Sequence, residues 1–155
     1  MSFMKKVTSI LFLIFPLTLN AQVALQGSYD GENQQIVIIM ENDLTVAGFQ
    51  FELDDVPDAF NITGASGGTG EEAGFTYSLN DYLVIAFSFS GGTIEPGIDT
   101  LCIIEISNPT DETTVSIVNP VFSSPGGDSI DPIDTGNPFT VSCTTTDDCG
   151  VCNGD

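Results

Sequence analysis

The chain is 155 residues long and 41% hydrophobic, which fits one domain with a core of its own plus a short flanking segment. It carries 22 acidic and 2 basic side chains, no histidine and a formal net charge of −20, and both bases, Lys5 and Lys6, stand at the extreme N-terminus. That balance excludes nucleic-acid binding, which needs cations on phosphates, and with it Ser-His-Asp or Cys-His nucleophiles, Schiff-base lysines, arginine phosphate clamps and zinc sites built on His. Two kinds of chemistry stay open to carboxylates: paired-acid glycoside hydrolysis and the binding of hard cations. The simplest reading of the acidity is solubility in a saline exterior.

Residues 1–21 read as a secretory signal peptide. Lys5 and Lys6 form the positive region, Val7 to Leu19 the apolar one, interrupted by Pro16, and Ala21 is the small residue at the expected cleavage point before Gln22. Leu19 is large for its place in such a site. The apolar run is too short for a membrane span, which takes ~20 residues, and no Cys follows it to carry a lipid anchor. After cleavage the chain would hold all 22 acids and no base, and stable membrane insertion is not expected.

From Gln22 to about Ser142 the pattern is that of strands. Gln34 to Met40 is rich in Ile and Val. In Thr45 to Leu53, Phe49, Phe51 and Leu53 point one way while Gln50 and Glu52 point the other, the period of a half-buried strand. Tyr82 to Phe89 sets Leu83, Ile85, Phe87 and Phe89 on one face and Val84, Ala86 and Ser88 on the other. Leu101 to Ile106, Thr113 to Val118 and Phe139 to Val141 add further strands. Turn signals separate them at Asp30-Gly31, Gly64 to Gly70, Gly91-Gly92, Pro96-Gly97, Asn108-Pro109 and Pro125 to Gly127. No window carries a sustained helical stripe. Short strands at regular spacing predict an all-β sandwich, here over residues 22–142. Residues 143–155 change character, to a Cys-, Asp- and Gly-rich linker or the start of a repeat.

Certain stretches resemble a known family. Val46 to Leu53 (VAGFQFEL), then Gly91 to Gly97 (GGTIEPG) leading into Leu101 to Ile106 (LCIIEI), resemble cohesin-like modules, in which a V-x-G-F-Q-F strand is followed later by an I-x-x-G turn and a strand ending near Phe. Here Asp99 and Thr100 occupy the region where Gly is usual, and Ile106 stands near the usual Phe. The resemblance covers roughly residues 23–142. It implies a jelly-roll β-sandwich of about nine strands and a role in holding dockerin modules in extracellular assemblies, with no dockerin-contact residue transferable to this chain. Asp147 to Asp155 (DDCGVCNGD) is similar to repeats between modules of large bacterial surface proteins.

Calcium is the expected ligand of the tail, through Asp147, Asp148, Asn153 and Asp155, with a solvated acidic linker as the alternative. Asp54, Asp55 and Asp58 form a second acidic group, read first as a polar loop. Cys149 and Cys152 form a C-x-x-C pair, and in an exported chain a structural disulfide suits them better than a redox or zinc site. Cys143 is a further candidate partner. Cys102 is either a free core thiol or a partner of Cys143. Tyr29, Tyr77, Tyr82 and some Phe residues could line a sugar platform, although most of the 11 Phe belong in the core and Trp is absent. Asn61 and Thr63 match the N-glycosylation pattern, which carries little weight in a bacterial chain. No sequence feature indicates a glycosidase cleft. The expectation is a non-catalytic, secreted or cell-surface bacterial interaction module, with no required cofactor and a dockerin-like partner. The alternatives are a carbohydrate-binding module taking a polysaccharide and a calcium-stiffened spacer or adhesin domain.

Overall fold

The computed structural model describes residues 22–143, which fold as two five-stranded sheets packed face to face. The first sheet is built from β1 (Val23–Asp30), β2 (Gln35–Asn42), β4 (Ile62–Ser66), β7 (Gly97–Ile106) and β9 (Ile133–Asp134). The second holds β3 (Gly48–Val56), β5 (Thr76–Leu79), β6 (Leu83–Phe87), β8 (Thr113–Ser123) and β10 (Phe139–Val141). Their spatial orders are β4-β7-β2-β1-β9 and β10-β8-β3-β6-β5. All pairings are antiparallel except that of β1 with β9. The expected jelly-roll sandwich is thus the observed fold, with ten strands rather than about nine.

The alternation along β3 explains the layering. Phe49, Phe51 and Leu53 are buried, while Gln50 and Glu52 face outward. On the facing sheet, β2 buries Ile36, Ile38 and Met40, and β7 buries Leu101, Cys102 and Ile104. A register shift between Ile38 and Ile39 adjusts the pairing of β2 with β7. Phe49 is the hub of an aromatic cluster, stacked on Phe122 at 5.7 Å and on Phe51 at 6.0 Å, with the Tyr77 ring edge-on at 6.3 Å. Each such side chain removed from water contributes about 1.5–3 kcal/mol.

One short helix interrupts the strands, α1 (Gly68–Glu72), although no helical pattern marks the sequence there. It lies against β7, and Gly68 is at positive φ with the Thr100 and Leu101 carbonyls where a Cβ would stand. Tertiary contact and glycine's freedom hold this turn, not helix propensity. The β1–β2 turn is closed by Asp30, whose carboxylate accepts hydrogen bonds from the Glu32 and Asn33 amides and from Asn33 Nδ2 at 2.8 Å. Those bonds, above all the one from the Asn33 side chain, hold the Asp30 carboxyl below its ordinary pKa. No helix among the described residues is long and apolar enough to cross a membrane.

Candidate interaction surface

The second sheet carries the feature most in need of a function. Across the inner face, Phe49 of β3 pairs with Ala86 of β6, and Phe51 pairs with Val84. Two phenyl rings fill the layer, so only small side chains fit opposite them. Val84 and Ala86 take those places and are buried. Period two then sends the larger residues of the strand, Leu83, Ile85 and Phe87, to the outside.

The outer face is arranged in three rows across β6, β3 and β8. Leu83, Glu52 and Val118 form one, Ile85, Gln50 and Val121 the second, and Phe87, Gly48 and Ser123 the third. Polar or absent side chains on β3 therefore run between the apolar column of β6 and the Val118 and Val121 side chains of β8. Ser78 and Thr76 of β5 extend the second and third rows. A register shift between Gln50 and Glu52, opposite Asn119 at φ 50°, lets both Val118 and Val121 pair with outward-facing residues. Asn119 Nδ2 donates to Glu52 Oε2 at 3.0 Å and ties the bulge to the face.

Phe87 is 40% exposed, Phe89 82% and Val121 48%. The two rings meet edge to face, 4.8 Å apart with planes at 68°. Phe89 sits on a loop ordered by Ser88, whose Oγ accepts from the Ser90 and Gly92 amides. Gly92 has no room for a side chain, since a Cβ would run into the Ala73 carbonyl oxygen. At the other end of β6, Asn80 Oδ1 accepts from the amides of Tyr82 and Leu83 at 3.0 and 2.7 Å, and this turn presents Tyr82, 53% exposed. The exposed aromatic side chains among the described residues, Tyr82, Phe87 and Phe89, all lie on or beside β6. The first sheet exposes aliphatic Ile39 and Ile98 instead.

Beside Tyr82 the face dips into a concavity of about 440 Å³ lined by Glu52, Asp54, Asp55, Asp58, Asp81, Tyr82 and Val118, among others. The acidic group foreseen at Asp54, Asp55 and Asp58 is thus joined by Glu52 and Asp81. Asp54 and Asp55 stand in the last part of the ladder of β3 rather than in the polar loop expected, and the Asp55 Oδ2 accepts from the Ala59 and Phe60 amides at 2.6 and 3.3 Å. Among the described residues no group of three or more His, Cys, Asp or Glu is arranged to hold a metal ion.

The other sequence candidates fall as follows. The three tyrosines share no platform: Tyr29 is half-buried on β1 of the first sheet, Tyr77 packs into the core from β5, and Tyr82 alone is exposed. The buried Tyr77 hydroxyl has no hydrogen-bond partner, and burial pushes its pKa up. Cys102 is the free core thiol of the two readings and not a partner of Cys143, because β7 aims it into the sandwich, where burial raises its pKa. Asn61 and Thr63 are both exposed. Asp147, Asp148, Asn153, Asp155, Cys149 and Cys152 lie outside the described residues.

No family model and no curated protein matches the chain. Its fold does match solved cohesin modules. One is a non-cellulosomal cohesin from the archaeon Archaeoglobus fulgidus, 14% identical, covering 81% of this chain and 93% of that one at a TM-score of 0.60. A second is a type I cohesin–dockerin complex from Clostridium thermocellum, 11% identical, covering 79% and 93% at 0.58. A third is a type I cohesin from Pseudobacteroides cellulosolvens, 12% identical, covering 83% and 96% at 0.55. At these identities the likeness defines a fold, the cohesin-type jelly roll.

Proposed function

We propose that this chain is a non-catalytic, exported interaction module that holds a dockerin-like protein module on the outer face of β8, β3, β6 and β5. The observation that carries the reading is the exposed Phe87–Phe89 pair flanked by Ile85 and Val121. Large apolar side chains gathered on one sheet face cost solubility and are kept where a partner covers them. The cohesin-type fold, found in complexes with dockerins among its structural neighbours, supplies the class of partner. The apolar run after Lys5 and Lys6 supports export. The absence of His, and of any Lys or Arg beyond that run, supports a role without catalysis.

A glycan is the less suitable ligand for this face. Sugar rings lie flat on exposed aromatic planes, whereas Phe87 and Phe89 stand at 68° to each other and bring no hydroxyl. The test is retention of the purified protein on immobilised dockerin modules and, in parallel, on insoluble polysaccharides. Capture by a dockerin supports the proposal. Retention by polysaccharide alone would replace it with a carbohydrate-binding module.

A further inference from the structure

We propose that the outer face of the first sheet is a self-association surface, and that its occupant is the same face of a second copy of this chain. The proposal stands apart from the docking reading, because it concerns the opposite side of the sandwich.

Among the described residues the only charged side chains are acids. Two copies of the sandwich therefore repel at long range, and they meet closely only where carboxylates do not oppose one another. The register of the first sheet builds such a place. Its outward residues form rows across β1, β2, β7 and β4. Ala24, Glu41 and Ile98 make the first row, and Gln26, Ile39 and Thr100 the second. Ser28, Val37, Ile103 and Ser66 make the third, and Asp30, Gln35, Glu105 and Gly64 the fourth. The two middle rows hold no acid. They centre on half-buried Val37 and Ile103 and on Ile39, 38% exposed, with Ile98, 64% exposed, at one end. Uncharged Gln26, Ser28, Thr100 and Ser66 flank this β-branched centre. A body laid on it covers apolar surface without stripping water from a carboxylate.

The acids of the two end rows are placed so that the face complements itself. In a face-to-face dimer the two-fold axis lies in the interface, so residue i of one copy meets residue j of the other, and j meets i. An axis along the strands, between β2 and β7, sets Val37 against Ile103 of the second copy and Ile39 against Thr100. It sets Glu41 against Ile98, Glu105 against Gln35 and Asp30 against Gly64. An axis across the strands, between the two middle rows, sets Ile39 against Val37 and Ile103 against Thr100. Glu41 then meets Gln35, Glu105 meets Ile98 and Asp30 meets Ala24. Neither arrangement opposes two carboxylates, and both close the β-branched centre of one copy on that of the other.

The test is sedimentation velocity of the purified protein from about 10 µM to about 1 mM, at about 0.05 and about 0.5 M salt. The expected result is a monomer–dimer equilibrium that moves toward dimer about tenfold as salt screens the net charge. Ile39→Glu puts a carboxylate in the acid-free centre and should weaken association about tenfold or more. Ile98→Lys puts a cation against Glu41 or Glu105 under either axis and should tighten association, whereas Ile98→Glu should weaken it. Phe87→Ser/Phe89→Ser, on the other sheet, should dimerise like the wild type. These are outward-facing positions, so melting temperatures should stay near that of the wild type. A monomer at every concentration and salt would overturn the proposal, as would a dimer that survives Ile39→Glu or is lost in the Phe variant. Should Ile39→Glu unfold the protein, the Ile98 pair decides: equal association of Ile98→Lys and Ile98→Glu overturns the proposal.

Discussion

The two faces of β6 are made of similar residues with opposite fates. Inward, Val84 and Ala86 are closed off beneath Phe51 and Phe49. Outward, Leu83, Ile85 and Phe87 are larger and more apolar than the inner pair, yet they meet solvent. A strand selected only for stability would place its bulk in the core. The reversal reflects an inner face of β6 limited by the rings of β3, and it motivates the proposal that the outer face docks a partner.

If that division is right, substitutions on the two faces separate stability from binding. The largest effect belongs to the core. Phe51→Ala, at a fully buried position, should cost about 3–5 kcal/mol in urea unfolding, through lost transfer free energy and the cavity left behind. A loss near zero would mean that the core does not rest on the β3 rings. Next comes Gly92→Ala, where the new methyl meets a backbone carbonyl that cannot turn aside. The expected cost is about 1–3 kcal/mol, and displacement of the Phe89 loop should weaken binding as well. This is the one substitution in the set that mixes the two roles.

On the outer face, Phe87→Ser/Phe89→Ser should leave unfolding within about 1 kcal/mol of wild type. Loss of an interface hot spot worth about 2 kcal/mol weakens binding about 30-fold. A stability loss as large as that of Phe51→Ala would erase the distinction between the faces. The smallest effect is expected at Tyr77→Phe. The hydroxyl it removes is buried without a hydrogen-bond partner, so stability near neutral pH should be unchanged or slightly higher.

The same substitution reads out a pH dependence. Burial raises the Tyr77 phenol above its ordinary pKa of 10.0 and the Cys102 thiol above 9.0. In the unfolded chain both groups ionise first, so above about pH 9 the folded state holds protons that the unfolded state has shed. Stability is then fully present below that pH and is lost as the pH climbs toward the raised folded values. Tyr77→Phe should flatten part of this alkaline decline in thermal melts, and Cys102→Ala the earlier part of it.

Much of the scaffold was legible in the sequence because one face of most strands is buried. The alternation of Phe49, Phe51 and Leu53 with Gln50 and Glu52 predicts β3 and its orientation together. Less could be read where the pattern is short or glycine-rich. β4 and the two-residue β9 are held by pairing with distant strands, β5 is a four-residue strand paired with β6, and α1 forms from GTGEE where it packs on β7. The proposed docking face was half visible. Periodicity groups Leu83, Ile85, Phe87 and Phe89 on one side, but with apolar residues on both sides of β6 it does not say which is inside. That choice follows from the pairing of Phe49 with Ala86 and Phe51 with Val84, which is a tertiary fact. Asp81 was likewise not grouped with Asp54 and Asp58, since the β5–β6 turn and β3 meet only in the folded sheet. The tyrosines misled for the opposite reason: residue type suggests a platform, but two strands and a turn send them to three environments.

The most direct test of the docking face is an NMR titration of the protein with a bound dockerin module, following side-chain signals on both sheets. The account predicts that the resonances of Phe87, Phe89, Ile85 and Val121 shift and broaden, while those of Ile39 and Ile98 on the opposite sheet stay in place. Movement of Ile39 and Ile98 with Phe87 and Phe89 unchanged would contradict it and transfer the interaction surface to the first sheet.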